Sequence, residues 1–245
     1  MLVTKYNANG NDFVIFHTFI EKDYSDLAIK LCDRNSGIGA DGLIVLVPHD
    51  ELDFKWLFYN SDGSDAAMCG NGTRACAHYA VSNALCENEL AFMTEAGKIA
   101  CVVNDDIVET QMTAPVVVKE EFEEEGRTWY LVDTGVPHLV TITEDLEEFD
   151  IELCAKMRYK YNANVNFTKP DGDKLYVRTY ERGVENETGA CGTGMVACFL
   201  YSLKQNKVEN SVRVYPTSND ELYVKNVDGT LFFKGDVQKI FETSI

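Results

Sequence analysis

The chain has 245 residues, with 40 acidic against 22 basic side chains and a formal net charge of −18. Its hydrophobic fraction of 45% and charged fraction of 25% suit a soluble globular protein, built as one large domain or two of about 120 residues. The negative surface repels phosphate backbones and anionic lipid, which argues against nucleic-acid and membrane partners.

Met1 to Phe16 lacks the basic start, apolar core and small-residue site of a secretion signal. No apolar run approaches the roughly 20 residues of a membrane span, so a cytoplasmic protein is expected. Apolar alternation over Leu2–Tyr6 and Phe13–Phe16 predicts two strands around the turn Asn7-Ala8-Asn9-Gly10-Asn11. A helical pattern opens at Ser25, a good N-cap, and runs to Arg34, with Gly37 near its stop. Strands over Leu43–Val47 and Phe54–Tyr59 lead through the turn Asn60-Ser61-Asp62-Gly63-Ser64 into a helix from Cys69 to Leu85. Strands over Leu90–Thr94, Ile99–Val103 and Ile107–Met112 complete the first half.

The second half repeats this order. The acidic run Lys119-Glu120-Glu121-Phe122-Glu123-Glu124-Glu125 reads as a solvated turn between strands. Strands over Trp129–Asp133 and Leu139–Ile142 flank Thr134-Gly135-Val136-Pro137-His138. A short helix over Ile151–Met157 and strands over Asn164–Thr168 and Leu175–Tyr180 follow. A polar loop delivers a helix from Cys191 to Lys204, and three or four strands run from Val212 to Phe241. A boundary near Ala114-Pro115 gives domains 1–114 and 115–245, and the pattern leaves room for a terminal strand to cross back to the first. The expected fold class is α/β (α+β). It consists of two pseudo-symmetric domains, each a mixed, strand-rich sheet wrapped around a central helix, with the active site in the cleft between them.

Eight cysteines in a chain of this size and expected compartment read as reduced thiols, most of them small buried hydrophobes. None forms Cys-x-x-Cys. The pairs Cys69/Cys76 and Cys191/Cys198 are seven residues apart, about 10.5 Å of helical rise and too far for one metal ion. No metal site is expected. Cys76 and Cys198, two turns into their helices, read as core.

The segments holding these pairs match. Cys69-Gly70-Asn71-Gly72-Thr73-Arg74-Ala75-Cys76 is answered by Cys191-Gly192-Thr193-Gly194-Met195-Val196-Ala197-Cys198, 122 residues later, and Tyr79 is answered by Tyr201. Each motif sets a cysteine and a glycine at the start of an apolar helix. Unpaired N–H groups and the helix dipole there favour a thiolate and can hold a carboxylate. A thiol near its working pH gives or takes a proton. Gly70, Gly72, Gly192 and Gly194 are expected to let an anion approach the backbone. A single such motif is more often a buried cap; two at half-chain spacing point to two-base racemase or epimerase chemistry.

With these segments the chain resembles the diaminopimelate epimerase family. The resemblance extends over Gly10-Asn11-Asp12-Phe13, Gly37-Ile38-Gly39-Ala40-Asp41-Gly42, Tyr59-Asn60-Ser61-Asp62-Gly63-Ser64 and Met68-Cys69-Gly70-Asn71-Gly72-Thr73-Arg74. It continues through Pro137-His138, Asn164-Val165-Asn166-Phe167, Tyr180-Glu181-Arg182-Gly183-Val184 and Glu187-Thr188-Gly189-Ala190-Cys191-Gly192-Thr193-Gly194. The resemblance implies a cofactor-independent enzyme interconverting LL- and meso-2,6-diaminopimelate in lysine and peptidoglycan precursor synthesis, commonly as a homodimer. It implies Cys69 and Cys191 as the acid/base thiols and His138 and Glu181 as groups tuning them. By the same resemblance Gly70, Asn71, Gly192 and Thr193 cradle the reacting carboxylate. Asn11, Asn60, Asn164, Glu181 and Arg182 hold the substrate's amino and carboxylate groups.

From the residues alone, Asn11 and Asn60 also suit turns, Glu181-Arg182 an exposed pair, and His138 a loop. Three departures from the family pattern stand out. Val136 replaces an asparagine before Pro-His, the segment Gly183–Thr188 is one residue longer than the common form, and Ala8 replaces a glycine. The competing readings are a two-cysteine racemase or epimerase for proline, hydroxyproline or histidine, a thiol redox switch, and a non-enzymatic amino-acid-binding module.

Overall fold

The computed structural model describes residues 1–65 and 67–245. In chain order the elements are β1 (Leu2–Ala8), β2 (Asn11–His17), α1 (Ser25–Cys32), β3 (Gly42–Val47), β4 (Phe54–Asn60), α2 (Gly70–Ser82), β5 (Glu89–Thr94), β6 (Gly97–Asn104) and β7 (Ile107–Gln111). There follow β8 (Val116–Glu124), β9 (Arg127–Asp133), β10 (Pro137–Ile142), α3 (Ile151–Tyr161), β11 (Asn164–Asp171), β12 (Lys174–Glu181) and β13 (Asn186–Thr188). The chain ends with α4 (Gly192–Lys204), β14 (Ser211–Tyr215), β15 (Leu222–Val227), β16 (Thr230–Asp236) and β17 (Gln238–Ser244). It divides into two compact units, Met1–Gln111 with Gly235–Ile245, and Met112–Lys234.

In the first unit β17 pairs with β1 and β1 with β2, both antiparallel; β2–β3 is parallel, β3–β4 antiparallel and β4–β5 parallel. Antiparallel β5–β6 and β6–β7 finish the ladder. The second unit repeats it strand for strand. Antiparallel β8–β9 and β9–β10, parallel β10–β11, antiparallel β11–β12 and parallel β12–β14 lead to antiparallel β14–β15 and β15–β16. The duplication read from two cysteine motifs is therefore a duplication of the whole topology.

The sequence of β3 shows how each sheet is filled. All six residues of Gly42–Val47 are buried, the signature of a strand covered on both faces. Leu43, Val45 and Val47 pack with Ala28, Leu31 and Cys32 of α1. Ile44 and Leu46, on the alternate face, pack with Ala75, Cys76 and Tyr79 of α2. The second unit places α3 and α4 likewise: Val165 and Phe167 join Cys154 and Met157, whereas α4 fills a separate cluster. Residues 71–80 of α2 are buried without interruption, as befits a helix enclosed by its sheet.

Some expectations change. Of the acidic run predicted as a turn, Lys119 to Glu124 belong to β8, an exposed strand paired to β9 with two register shifts, and only Glu125 lies in the turn, with Gly126. Local cations make this tolerable: Lys160 bridges Glu124 and Lys156 bridges Glu125, while Lys119 lies 3.5 Å over the Phe122 ring. The first helix ends at Cys32 rather than Arg34, whose guanidinium turns back to Asp12 and Asp41. The second stops at Ser82, short of Leu85, where the Asn83 N–H closes it onto Tyr79 O and Val81 O. Helix α3 runs on to Tyr161, where Asn162 at φ 49° supplies a left-handed cap. The polar loop before α4 contains β13, paired back onto β12 with Glu181 opposite Asn186. The longer Gly183–Thr188 segment is thereby taken up in a hairpin tip, with Glu185 at φ 57° and Gly183 at φ 96°.

Candidate active site

Cys69 and Cys191 are the N-cap residues of α2 and α4, each in extended backbone immediately before a helix of 13 residues. The capping geometry leaves the first backbone N–H groups of each helix outside the intrahelical ladder.

In the first unit the Gly72 N–H donates to Cys69 Sγ at 3.4 Å, and Cys69 Sγ donates to Asn11 Oδ1 at 3.6 Å. Asn11 is oriented from behind, its Nδ2 donating to Asp41 Oδ2 at 2.7 Å. The backbone N–H of Asp12 donates to that same carboxylate oxygen. Arg34 ties the two acids together, reaching Asp12 Oδ1 at 2.9 Å and Asp41 Oδ1 at 2.8 Å. Burial would raise the Asp12 carboxyl, but hydrogen bonds from Arg34 and Lys5 override it and hold the group down at about 2. Asn71 is buried, and its Oδ1 accepts from Arg74 Nη2 at 2.9 Å. Arg74 also reaches Asn9 Oδ1 and Gly70 O, fixing the helix start to the first turn. Asn60 closes β4, donating to Ser64 Oγ at 3.0 Å across its own turn. Because β2 and β3 start, and β4 ends, at one edge of the sheet, Asn11 and Asn60 share that edge.

In the second unit the corresponding edge carries His138, Asn164, Glu181 and Arg182. His138 is fully buried in β10, not in a loop. Its Nε2 lies 2.9 Å from Thr193 Oγ1, which lies 3.6 Å from Cys191 Sγ. Its Nδ1 lies 3.1 Å from Asn166 Nδ2. Burial depresses the His138 imidazole to about 3, so it stays neutral through physiological pH. Thr193 is anchored by Thr134, whose hydroxyl donates to Thr193 O at 2.9 Å. Asn164 Oδ1 accepts the Arg182 backbone N–H at 2.7 Å. Arg182 Nη1 donates to Asn162 O at 3.1 Å. Burial pushes the Glu181 carboxyl up, partly opposed by a hydrogen bond from Thr188.

The four motif glycines do different work. A side chain at Gly70 would meet nothing within 4 Å, which fits the expected open approach to the backbone. A Cβ on Gly194 would lie 2.6 Å from Asn166 Oδ1 and 3.2 Å from His138 Cε1. Gly194 is there for packing, contrary to the anion-approach expectation, whereas a Cβ on Gly72 would meet Cys69 Cβ, Ile44 and Trp56 only at ordinary contact distances of 3.4–3.5 Å. Gly192 is buried beside the Phe233 ring. The inner cysteines Cys76 and Cys198 are fully buried, and burial pushes both thiols far up. Asp41, Arg74, Thr134, Asn166 and Thr179 join the site's support without having been singled out from the sequence. One signal was present for Asn166: Asn-Val-Asn at period two places two asparagines on one strand face.

Among the described residues no three His, Cys, Asp or Glu side chains cluster as metal ligands would, and no helix is long and apolar enough to cross a membrane.

This duplicated, helix-centred fold is that of known racemase-type and related proteins. A probable proline racemase from Agrobacterium radiobacter superposes with a TM-score of 0.75, covering 100% of this chain and 92% of its own at 13% identity. A phenazine biosynthesis protein of the PhzF family from Bacillus anthracis gives 0.75 with 100% and 98% coverage at 16% identity. The sequence narrows the class. A family model described as diaminopimelate epimerase matches residues 3–118 and 130–240. The chain is 54% identical over 244 residues to the diaminopimelate epimerase of a Nitratiruptor species, covering 99% of this chain and 98% of that protein. The chain belongs to the diaminopimelate epimerase family.

Proposed function

We propose that this protein interconverts LL- and meso-2,6-diaminopimelate without a cofactor, using Cys69 and Cys191 as the two acid/base groups. The observation that carries the reading is the pair of cysteines capping two equivalent helices, in a chain 54% identical along nearly its whole length to a diaminopimelate epimerase.

The chemistry follows from the capping geometry. One cysteine, as thiolate, takes the α-proton; the C–H electron pair stays on carbon and spreads onto the carboxylate. The open N–H groups of Gly70 and Asn71, and of Gly192 and Thr193, stabilise that charge. The other cysteine, as thiol, returns a proton to the opposite face. Configuration is inverted, and the two sulfurs have exchanged protonation states. Asn11, Asn60, Asn164, Glu181 and Arg182 bind the substrate's polar ends, Arg182 suiting a carboxylate. The reading includes a reducing cytoplasm and a homodimer, supported by thiol chemistry and by family membership.

The test is incubation of the reduced protein with one diaminopimelate isomer in D₂O without added cofactor. Solvent deuterium at the α-carbon with formation of the other isomer is the expected result. Exchange with proline, hydroxyproline or histidine alone would move the substrate. No exchange with any amino acid would favour the redox-switch reading.

A further inference from the structure

The two units differ most where their topology is the same. In the first, Phe13 starts the parallel pairing opposite Gly42, and Ile44 faces Phe58 across β3 and β4. In the second, His138 starts it opposite Asn164, and Asn166 faces Thr179 across β11 and β12. Phe13, Ile44 and Phe58 belong to one apolar core. Their counterparts His138, Asn166 and Thr179 are all polar and all at most 3% exposed. The fold is thus satisfied by three hydrocarbons at these places, and burying polar groups there costs free energy unless every hydrogen bond is made. Something other than folding keeps this layer beneath the start of α4.

The hydrogen bonds in the layer have a direction. Asn166 Nδ2 donates to Leu139 O at 3.2 Å and approaches Asn164 O at 3.5 Å. Both are carbonyls that only accept, so the amide cannot be turned round. Its Oδ1 accepts from the Thr179 hydroxyl at 2.9 Å. The NH₂ group therefore also faces His138 Nδ1 at 3.1 Å, which must accept. A neutral imidazole then carries its single proton on Nε2, and Nε2–H donates to Thr193 Oγ1 at 2.9 Å. With that oxygen accepting from histidine, its own hydrogen is left for Cys191 Sγ at 3.6 Å. Asn164 Nδ2 comes within 3.4 Å of Nε2. Bonding there would need Nε2 bare and would strand a proton at Nδ1 against the closer Asn166 amide.

We propose that Asn166 is a positioning residue for the reaction: it locks His138 in the Nε2–H form, so that Thr193 donates its hydroxyl hydrogen to Cys191. The chain Asn166→His138→Thr193→Cys191 favours the thiolate at Cys191. In the first unit, Cys69 faces an acceptor, Asn11 Oδ1, as well as the Gly72 N–H. The relay rests on the reading of Cys191 as an acid/base thiol, but the tautomer it requires does not depend on the substrate.

Proton–nitrogen NMR on protein labelled at histidine nitrogen, with His138 assigned against His138→Gln, reads the tautomer directly. Wild type is expected to show neutral Nε2–H from about pH 5 to 8. An Nδ1–H form or an imidazolium would overturn the lock. Asn166→Asp, whose carboxylate accepts only, is expected to move the proton to Nδ1. Alkylation of Cys191 by iodoacetamide, followed by mass spectrometry of its peptide, should then show a pH midpoint raised by about one unit, tenfold in thiolate fraction at a given pH. Thr193→Val should raise it equally, and the double variant no further. An unmoved midpoint in either single variant defeats the relay. If Asn166→Asp fails to fold, the wild-type tautomer and Thr193→Val still decide. Absence of diaminopimelate exchange in wild type would sink the proposed reaction while leaving the tautomer result in place.

Discussion

Asn11 and Val136 hold the same station in the two copies of the fold, each two residues ahead of the strand residue that opens the parallel pairing, Phe13 and His138 respectively. Asn11 accepts from Cys69 Sγ and is braced by Asp41; the half-buried Val136 offers no polar side chain. Restoring symmetry with Val136→Asn should supply one more substrate hydrogen bond, a net gain near 1 kcal/mol. The expected result is a KM lower by about fivefold with kcat little changed. Steady-state kinetics on diaminopimelate decides it, and an unchanged KM would mean the station does not touch substrate.

Removing either thiol should stop the reaction without unfolding the protein. Cys69→Ser and Cys191→Ser are each expected to lower epimerisation by roughly 10²–10⁴-fold, the usual contribution of a positioned acid or base. Thermal midpoints should stay close to wild type, since both sites are half-buried caps and serine caps well. Full activity in either variant under reducing conditions would remove that cysteine from the mechanism.

The motif glycines should separate stability from binding. Gly194→Ala forces a methyl against Asn166 and His138 and should cost about 1–3 kcal/mol in urea unfolding. Gly70→Ala has open space and should leave stability level or slightly raised. Its methyl stands where the carboxylate is proposed to approach, so KM should rise by about tenfold. Equal behaviour of the two variants would contradict this division.

Acid should destabilise the protein partly through His138. Its folded-state value, pushed by burial to about 3, lies below the ordinary histidine value of 6.5. The unfolded chain therefore binds a proton that the folded one refuses. The contribution is complete above about pH 6.5 and is lost as pH falls toward 3, at up to about 1.4 kcal/mol per pH unit. His78, also lowered by burial, acts in the same direction. Glu181, raised by burial, opposes it. Urea titrations from about pH 5 to 6.5 should show a shallower slope in His138→Gln than in wild type. Identical slopes would place the wild-type proton uptake elsewhere.

Asp41→Ala should weaken the first site indirectly. Asn11 loses the acceptor that orients it, and Arg34 keeps Asp12. Turnover is expected to fall about tenfold, and Asp41→Asn, which keeps an acceptor oxygen, should recover most of it. Activity of Asp41→Ala at the wild-type level would show that Asn11 needs no brace.

Much of this protein is local and so legible in its sequence. The cysteine caps, the glycines behind them, the apolar helices and the alternating strands depend on residues a few places apart, and the repeat at 122 residues declares the duplication. Where neighbours in sequence mislead, the partner lies far away. The run Lys119–Glu125 looks like a turn until Lys156 and Lys160 of α3 are brought to it.

What only the tertiary structure decided is the polar layer under α4. His138, Asn166 and Thr179 come from three strands whose side chains meet only through one parallel and one antiparallel register. A slip of one residue in either would send them to the opposite face. The sequence shows an asparagine at 166 but not that two carbonyls prevent its amide from turning, nor that glycine at 194 is fixed by that same amide. Secondary structure and caps follow from near neighbours, whereas the direction of a hydrogen bond follows from what the whole fold places around it.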